Sequence, residues 1–152
     1  MAPWLLELWA APAALGFALL FNVPPRALWM CGVLAVLGHA ARKLVMTLNG
    51  DIVFGTLVAA ILIGLIAEWW SARRNEPAVI YAISAAIPMV PGTYMYKAVQ
   101  ALLGIATLPA GDTGQALLIA AGVSGVKAGM IVLALAFGIA APILLLPQRN
   151  RN

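Results

Sequence analysis

Charged residues are scarce in this sequence: Asp, Glu, Lys and Arg make up only 9% of its 152 residues. Ordinary soluble domains carry about 25% charged residues, so this chain has too few of them to cover a surface that faces water. Hydrophobic residues account for 64% of the chain, and its mean hydropathy is +1.00. The composition therefore predicts an integral membrane protein surrounded by the lipid bilayer.

Side chains that bind metals or carry out catalysis are also few. The chain has a single cysteine, Cys31, and a single histidine, His39. One cysteine excludes an internal disulfide and any multi-cysteine metal site, and we expect Cys31 to be a packing residue. The five acidic residues avoid the middle of the predicted helices, and no HExxH, GxSxG or phosphate-loop motif occurs. We therefore expect no enzyme activity, no cofactor and no metal.

Basic residues are scattered along the chain, although the net charge is +4. Nucleic-acid-binding surfaces gather their cations on one face, so we expect no nucleic-acid partner. Membrane orientation explains the distribution better, because the cytoplasmic loops of membrane proteins are enriched in Lys and Arg. With five spans, one side holds Arg26, Arg73, Arg74, Arg149 and Arg151. This predicts an external N-terminus and a cytoplasmic C-terminus, whereas four spans would place basic residues on both sides.

The apolar runs are continuous and do not alternate as the strands of a membrane barrel must. A spanning helix needs about 20 residues, and the runs predict an all-α, polytopic protein with one transmembrane domain over residues 1–152. We place its five helices at about residues 4–21, 27–48, 51–70, 77–104 and 115–146. The fourth helix is predicted to break at residues 88–92.

The break lies in the stretch AIPMVPGTYMYK, residues 86–97. Pro88 and Pro91 each lack an N–H, and each ring clashes with the carbonyl four residues earlier. Broken backbone at membrane depth occurs where it is buried in protein or lines a watery cavity. The first N–H groups of the new helix carry partial positive charge, and Lys97 follows one turn later. The pattern predicts an anion site; a packing kink with Lys97 paired to an acid of another subunit is the alternative.

A second group of polar residues lies in the predicted second helix. His39, Arg42 and Lys43 are spaced three and four residues apart, which places them on one helix face. That face either emerges at the far interface, with the cations reaching the headgroups, or turns to the protein interior. Glu7, near the start of the first helix, we expect to be an anchoring or solvated residue, with a functional role less favoured. The predicted substrate-binding residues are His39, Arg42, Pro88, Pro91, Gly92, Thr93, Tyr94, Lys97 and Lys127.

Small residues recur at a spacing of four in two of the predicted helices. One series comprises Gly55, Ala59 with Ala60, and Gly64, and the other comprises Ala121, Gly125 and Gly129. Such series let membrane helices approach each other closely. We therefore expect a helix-packing face at each.

Three blocks of the sequence resemble the threonine/serine exporter family, specifically its small split subunit. They are FNVPPRAL (21–28), GHAAR (38–42) and AAIPMVPG (85–92). The resemblance implies a two-component secondary exporter in the bacterial inner membrane, in which this chain works with a larger membrane subunit of the same family. It also implies small anionic or zwitterionic substrates that carry carboxylates, such as threonine, serine or succinate. The alternative is an accessory subunit that stabilises or assembles a larger transporter and does not itself transport.

Overall fold

The computed structural model describes residues 5–109 and 113–146, and every regular element in those ranges is helical. The predicted all-α class is confirmed. Arg149 and Arg151, which entered the charge argument, lie outside the described residues. The helices are α1 (Ala10–Leu20), α2 (Pro25–Asn49), α3 (Ile52–Arg74), α4 (Ala78–Ala86), α5 (Gly92–Ala106) and α6 (Gln115–Leu145), with 3-10 turns at Leu5–Trp9 and Ile87–Met89.

Three of the described helices, α2, α3 and α6, are long and apolar enough to cross a membrane. Helices α4 and α5 form a bent pair that counts as a fourth span when taken together. The chain is therefore a multi-pass membrane protein, and the predicted break in the fourth helix is confirmed. The described part of the first predicted helix is Leu5–Leu20, in two pieces, and this part is shorter than the about 20 residues that a straight span needs.

The turn between α2 and α3 follows from two adjacent residues. Gly50 adopts a left-handed conformation with a φ of 72° and donates its N–H to the Met46 carbonyl at 2.8 Å, which ends α2. Asp51 then caps α3, because its carboxylate accepts the Val53 N–H at 2.9 Å. The short turn makes α2 and α3 an antiparallel pair.

The chain divides into two compact units: the first comprises the residues up to Met89 and those from Ala134 onward, and the second is Val90–Leu133. In the first unit, the small residues of α3 are buried, as their spacing predicted (Gly55, Ala59, Ala60 and Gly64). A Cβ added at Gly138 of α6 would lie 2.5 Å from the Ala60 Cβ, and one added at Gly64 would lie 3.0 Å from the Ile139 carbonyl oxygen. These glycines let α3 and the end of α6 approach each other closely.

One end of the first unit carries aromatic and charged side chains typical of a membrane interface. Trp29 and Trp70 meet edge to face with ring centroids 5.1 Å apart. The Arg26 Nε donates to the Glu76 carboxylate at 2.6 Å, and the Tyr81 hydroxyl donates to the same carboxylate. The loop before α2 and the loop after α3 therefore lie at one end, where the charge argument expected them together.

The Glu76 carboxylate lies in the loop between α3 and α4. The hydrogen bond from Tyr81, followed by the bond and charge of Arg26, lowers the pKa of Glu76 below its ordinary value of 4.5, although burial opposes the shift. These donors stabilise the ionised form. The loop is thus held to α2 by a carboxylate that stays charged at neutral pH.

The second unit consists of α5 and the part of α6 up to Leu133. A Cβ added at Gly104 of α5 would lie 3.1 Å from the Leu117 Cδ1 of α6, so these helices pack closely there. A Cβ added at Gly125 or Gly129 would meet no atom within 4 Å. The packing face predicted at these two residues is not filled by any described part of the chain, and its partner stays a prediction.

Candidate anion-binding site

The helix break has a defined backbone geometry. Helix α4 ends at Ala86, the 3-10 turn Ile87–Met89 follows, and α5 begins at Gly92. Pro91 has φ and ψ of −80° and 55°, and the Gly92 N–H donates to the Val90 carbonyl at 2.8 Å. These values describe an inverse γ-turn centred on Pro91. The two prolines thus end one helix, and the next begins immediately after the second.

The break leaves the carbonyl of Met89 without its usual partner. In an unbroken helix this carbonyl would accept the N–H of the residue four positions later, Thr93. It instead accepts the Arg42 Nη1 of α2 at 3.2 Å. One guanidinium N–H has therefore replaced a helical hydrogen bond, and it fixes Arg42 beside the break.

Two further side chains of α2, Lys43 and His39, both contact the carboxylate of Glu7. The Lys43 Nζ lies 2.7 Å from Glu7 Oε1, and the His39 Nδ1 lies 3.2 Å from Glu7 Oε2. The exposed fractions of these side chains are 14% for His39, 19% for Glu7 and 24% for Lys43. The expectation that Glu7 is anchored at the headgroups or solvated is wrong, because the 3-10 turn before α1 places its carboxylate against α2.

The polar face of α2 predicted from residue spacing is present, and it faces other parts of the chain. His39, Arg42 and Lys43 all contact described residues, and none is more than half exposed. This excludes cations that extend freely into the headgroups. That His39 and Arg42 bind substrate remains a prediction.

His39 has one ring nitrogen in use and one unused. With Glu7 ionised, Nδ1 carries the proton and donates it to the carboxylate. Nε2 is buried and has no hydrogen-bond partner among the described residues. The backbone of Pro88 lies beside the same imidazole without completing a hydrogen bond to Nε2. A buried ring nitrogen without a partner is uncommon, and the nearest described polar group is the backbone of Pro88.

These polar groups line a cavity of about 490 Å³. Its walls are formed by Glu7, His39, Arg42, Lys43, Met46, Thr47 and Ile52. Arg42 and Lys43 bring two positive charges and Glu7 one negative charge, so with His39 neutral the wall has a net charge of +1. In a low-dielectric surrounding an uncompensated charge is costly, and the cavity is therefore suited to one additional anionic group.

Two of the sequence blocks meet at this cavity. Gly38 opens the GHAAR block, and a Cβ added there would lie 2.5 Å from the Ile63 Cδ1 and 3.5 Å from the Met89 Cε. The absence of a side chain at Gly38 leaves room for Ile63 of α3, and Met89, which belongs to the AAIPMVPG block, lies beside the same position. That closeness brings Arg42 within reach of the Met89 carbonyl.

The remaining predicted site residues lie at the start of the second unit and along α6. Thr93, Lys97 and Lys127 are exposed, and Tyr94 is half-buried. The structure brings two of them together, since the Lys127 Nζ lies 5.8 Å from the centroid of the Tyr94 ring. The N–H groups of Thr93 and Tyr94 make no backbone hydrogen bond with a described residue. These donors have the partial positive charge expected of a helix start.

The predicted site omitted Glu7 and Lys43. Lys43 had been placed on the correct face of α2 but was not included among the ligands. For Glu7 a signal was present, because an acidic residue within an apolar segment of a membrane protein is costly and usually pairs inside the protein. Its position near the end of the first helix suggested an anchoring or solvated role at the headgroups. Its contact with residues more than thirty positions away is a tertiary feature.

The fold and this cavity define a multi-pass helical membrane protein with a cationic pocket beside a broken helix. The model of one family, described as "Threonine/Serine exporter, ThrE", matches residues 7–145. The chain therefore belongs to the threonine/serine exporter family, a family of membrane transporters, and the resemblance noted in the sequence is confirmed.

A protein of Haemophilus influenzae named "Uncharacterized protein" is 39% identical over 138 residues, which cover 91% of this chain and 46% of that protein. The chain thus spans about half the length of the curated relative it matches. No solved structure matches the chain.

Proposed function

We propose that the chain is the small membrane subunit of a two-component secondary exporter. Its substrates would be small metabolites that carry a carboxylate, either amino acids of the threonine and serine type or dicarboxylates such as succinate. Membership of an exporter family supports the transport role. The observation that carries the site assignment is Arg42, which lines a cavity of net positive charge and is bonded to the carbonyl at the helix break.

Arg42 is suited to bind a carboxylate in this cavity. A guanidinium has five N–H donors, and the described contacts use one of them, on the Met89 carbonyl. Further donors can form the paired bonds that arginine makes with carboxylates. Each charge-assisted bond is worth about 1.5–3 kcal/mol. Lys43 lines the same wall and adds a second cation.

The contact between Arg42 and Met89 suggests how binding is linked to movement. The Met89 carbonyl lies in the 3-10 turn that joins the two parts of the broken helix. A substrate carboxylate that draws the guanidinium to itself weakens the bond to this carbonyl and loosens the turn. Binding is thereby coupled to the part of the backbone that is already broken, as alternating access requires.

We further propose that a second membrane module covers the exposed face of the second unit. Lys97 and Lys127 are exposed there, and a lysine facing lipid near the bilayer centre costs about 2.5–3.5 kcal/mol. Gly125 and Gly129 leave an open, close-packing face on α6. The relative of twice the length supports a second module as the occupant. This module corresponds to the larger subunit of the exporter.

The location that fits these features is the inner membrane of a bacterium, with the N-terminus outside and the C-terminus in the cytoplasm. The support is the grouping of Arg26, Arg73 and Arg74 near one end of the first unit, since basic residues favour the cytoplasmic side. A cysteine at Arg74 would then react with an impermeant thiol reagent from the cytoplasmic side only.

The test compares Arg42→Leu with the matched control Arg26→Leu. Both remove one guanidinium from α2, but Arg26 lies outside the cavity and is bonded to Glu76. Efflux of labelled threonine and labelled succinate is measured in cells that express the chain with its partner module. We expect Arg42→Leu to lower efflux about 100-fold, which corresponds to roughly 2.7 kcal/mol. Arg26→Leu should keep transport in correctly oriented molecules and shift the labelling of Arg74→Cys, measured in a Cys31→Ala background.

Two results would overturn the assignment. Equal efflux from both variants would show that Arg42 does not contact the substrate. A loss of assembled complex in Arg42→Leu, with normal efflux per remaining complex, would instead support the accessory role. The amount of complex is measured by pull-down of the partner module from the same cells.

A further inference from the structure

The anion site in the first unit is already occupied by a carboxylate of the chain itself. The two oxygens of Glu7 contact different groups, Lys43 Nζ at 2.7 Å and His39 Nδ1 at 3.2 Å. A small-molecule carboxylate in the same place would find the same two donors. Glu7 thus has the position and the chemistry of a bound ligand.

The segment that carries Glu7 has few other attachments. No residue of the 3-10 turn Leu5–Trp9 is buried, and its other four residues are all exposed. Glu7 is the only residue of the turn for which the described part of the chain shows a side-chain hydrogen bond or ion pair. Little packing is therefore lost if the carboxylate leaves the cavity, so this segment can move without disturbing the helices behind it.

We propose that Glu7 is an internal ligand of the site, which a substrate carboxylate displaces from His39 and Lys43 during transport. This inference rests on the proposed function, because it assumes that the cavity binds substrate. Without substrate, Glu7 neutralises one of the two cations and occupies the donors of Lys43 and His39. With substrate, the carboxylate of the ligand takes over the contacts to Lys43 and His39, and the turn Leu5–Trp9 is released.

An internal ligand weakens the apparent affinity for the external one. The apparent dissociation constant equals the intrinsic constant divided by the fraction of molecules whose site is open. If Glu7 fills the site about nine-tenths of the time, removal of its charge strengthens substrate binding about tenfold. A structural role predicts the opposite, because loss of the charge leaves Lys43 without its carboxylate and distorts the site.

The experiment measures equilibrium binding of labelled succinate and labelled threonine to the purified complex of the chain with its partner module. Glu7→Gln keeps the shape of the side chain and removes its charge, and Glu68→Gln is the control at a half-buried acid of α3 outside the cavity. We expect about tenfold tighter binding for Glu7→Gln and no change for Glu68→Gln. Efflux by Glu7→Gln should show a lower KM and a lower kcat, because product is released more slowly.

Glu7→Asp keeps the charge but shortens the reach by one methylene group, and it should bind substrate more tightly than the wild type and less tightly than Glu7→Gln. Unchanged or weaker binding by Glu7→Gln would overturn the inference. If Arg42→Leu abolishes binding in that case, the proposed substrate site stands without the internal ligand. If Arg42→Leu and Glu7→Gln both bind like the wild type, the substrate site itself is wrong.

Discussion

The basic side chains of the two units differ in the partners that they contact. In the first unit Arg26 is bonded to Glu76, Lys43 to Glu7, and Arg42 to the Met89 carbonyl. In the second unit neither Lys97 nor Lys127 has a salt bridge with a described residue, and both are exposed. These three cations of the first unit therefore have partners within the chain, whereas Lys97 and Lys127 have no carboxylate partner among the described residues.

The glycines of the two units show the same contrast. Gly138 and Gly64 lie at close contacts that have no room for a side chain. Gly125 and Gly129 face open space within the chain. Because small residues in membrane helices serve close approach, the open pair fits a contact with another protein. The comparison teaches that these small residues of the first unit lie at close contacts within the chain, whereas the open pair of the second meets no described residue.

The largest effect that tests this contrast is expected at Lys97. Lys97→Met keeps the volume of the side chain and removes the charge, so membrane insertion and partner association should persist. Efflux of labelled substrate should fall about 30-fold, which corresponds to loss of one charge-assisted bond of about 2 kcal/mol. Lys97→Arg should keep part of the activity, since the charge remains in a bulkier, planar form.

Efflux and pull-down of the partner module are measured on the same cells. Normal efflux by an assembled Lys97→Met complex would show that the break before α5 is a structural kink and not an anion site. The contrast between the units would then concern assembly alone.

A smaller effect is expected for valine at the two kinds of glycine. Gly138→Val places a side chain against Ala60 and the α3 backbone, where an added Cβ already lies 2.5 Å from the Ala60 Cβ. Overpacking of this kind costs about 1–3 kcal/mol, so the Tm of the purified chain should fall. A Cβ added at Gly129 meets no atom within 4 Å. Gly129→Val should therefore leave the Tm nearly unchanged while it weakens pull-down of the partner module. An equal loss of Tm in both variants would contradict the difference in packing between Gly138 and Gly129.

The smallest effect is the loss of stability expected when the Glu76 carboxylate is protonated at low pH. Its pKa lies below 4.5 in the folded protein because the ionised carboxylate accepts hydrogen bonds from Tyr81 and Arg26. The stability it contributes is fully present above the ordinary pKa and is lost as the pH falls through the lowered one. Since the Arg26 side chain is 73% exposed, the ion pair contributes less than about 1 kcal/mol.

Thermal melting is followed from neutral pH to below 4.5. Glu76→Gln should lower the Tm slightly at neutral pH and flatten its decline in acid, and a decline identical to that of the wild type would exclude Glu76 as its source. The effect belongs to the first unit, where Glu76 is paired with Arg26.

Much of the fold could be predicted because it depends on local chemistry. Continuous apolar runs predicted helices. Pro88 and Pro91 predicted the break, because a proline has no N–H to donate to the carbonyl four residues earlier. The spacing of Gly55, Ala59 and Gly64 predicted the buried face of α3. The apolar pattern did not show that Leu5–Trp9 winds as a separate 3-10 turn before the first α-helix.

The candidate site was predicted only in part. His39 and Arg42 were recognised because their spacing on a helix is a local property. Their environment was left open between the headgroups and the interior, and the Met89 carbonyl was not foreseen. Glu7 was misplaced, since its partner Lys43 lies 36 positions away along the chain. Contacts of that kind depend on how α1 and its preceding turn pack against α2.

The sequence by itself determined that the chain is surrounded by lipid, that it is helical, where the fourth helix breaks and to which family the protein belongs. Each follows from composition or from short segments. In lipid the backbone must form its hydrogen bonds within the protein, which favours helices, and a proline interrupts a helix wherever it occurs. Only the tertiary structure decided which charges meet. The carboxylate of Glu7, the cations of α2 and the freed carbonyl of Met89 come from three separate segments. Their meeting depends on helix packing, which the close approach at Gly38 permits.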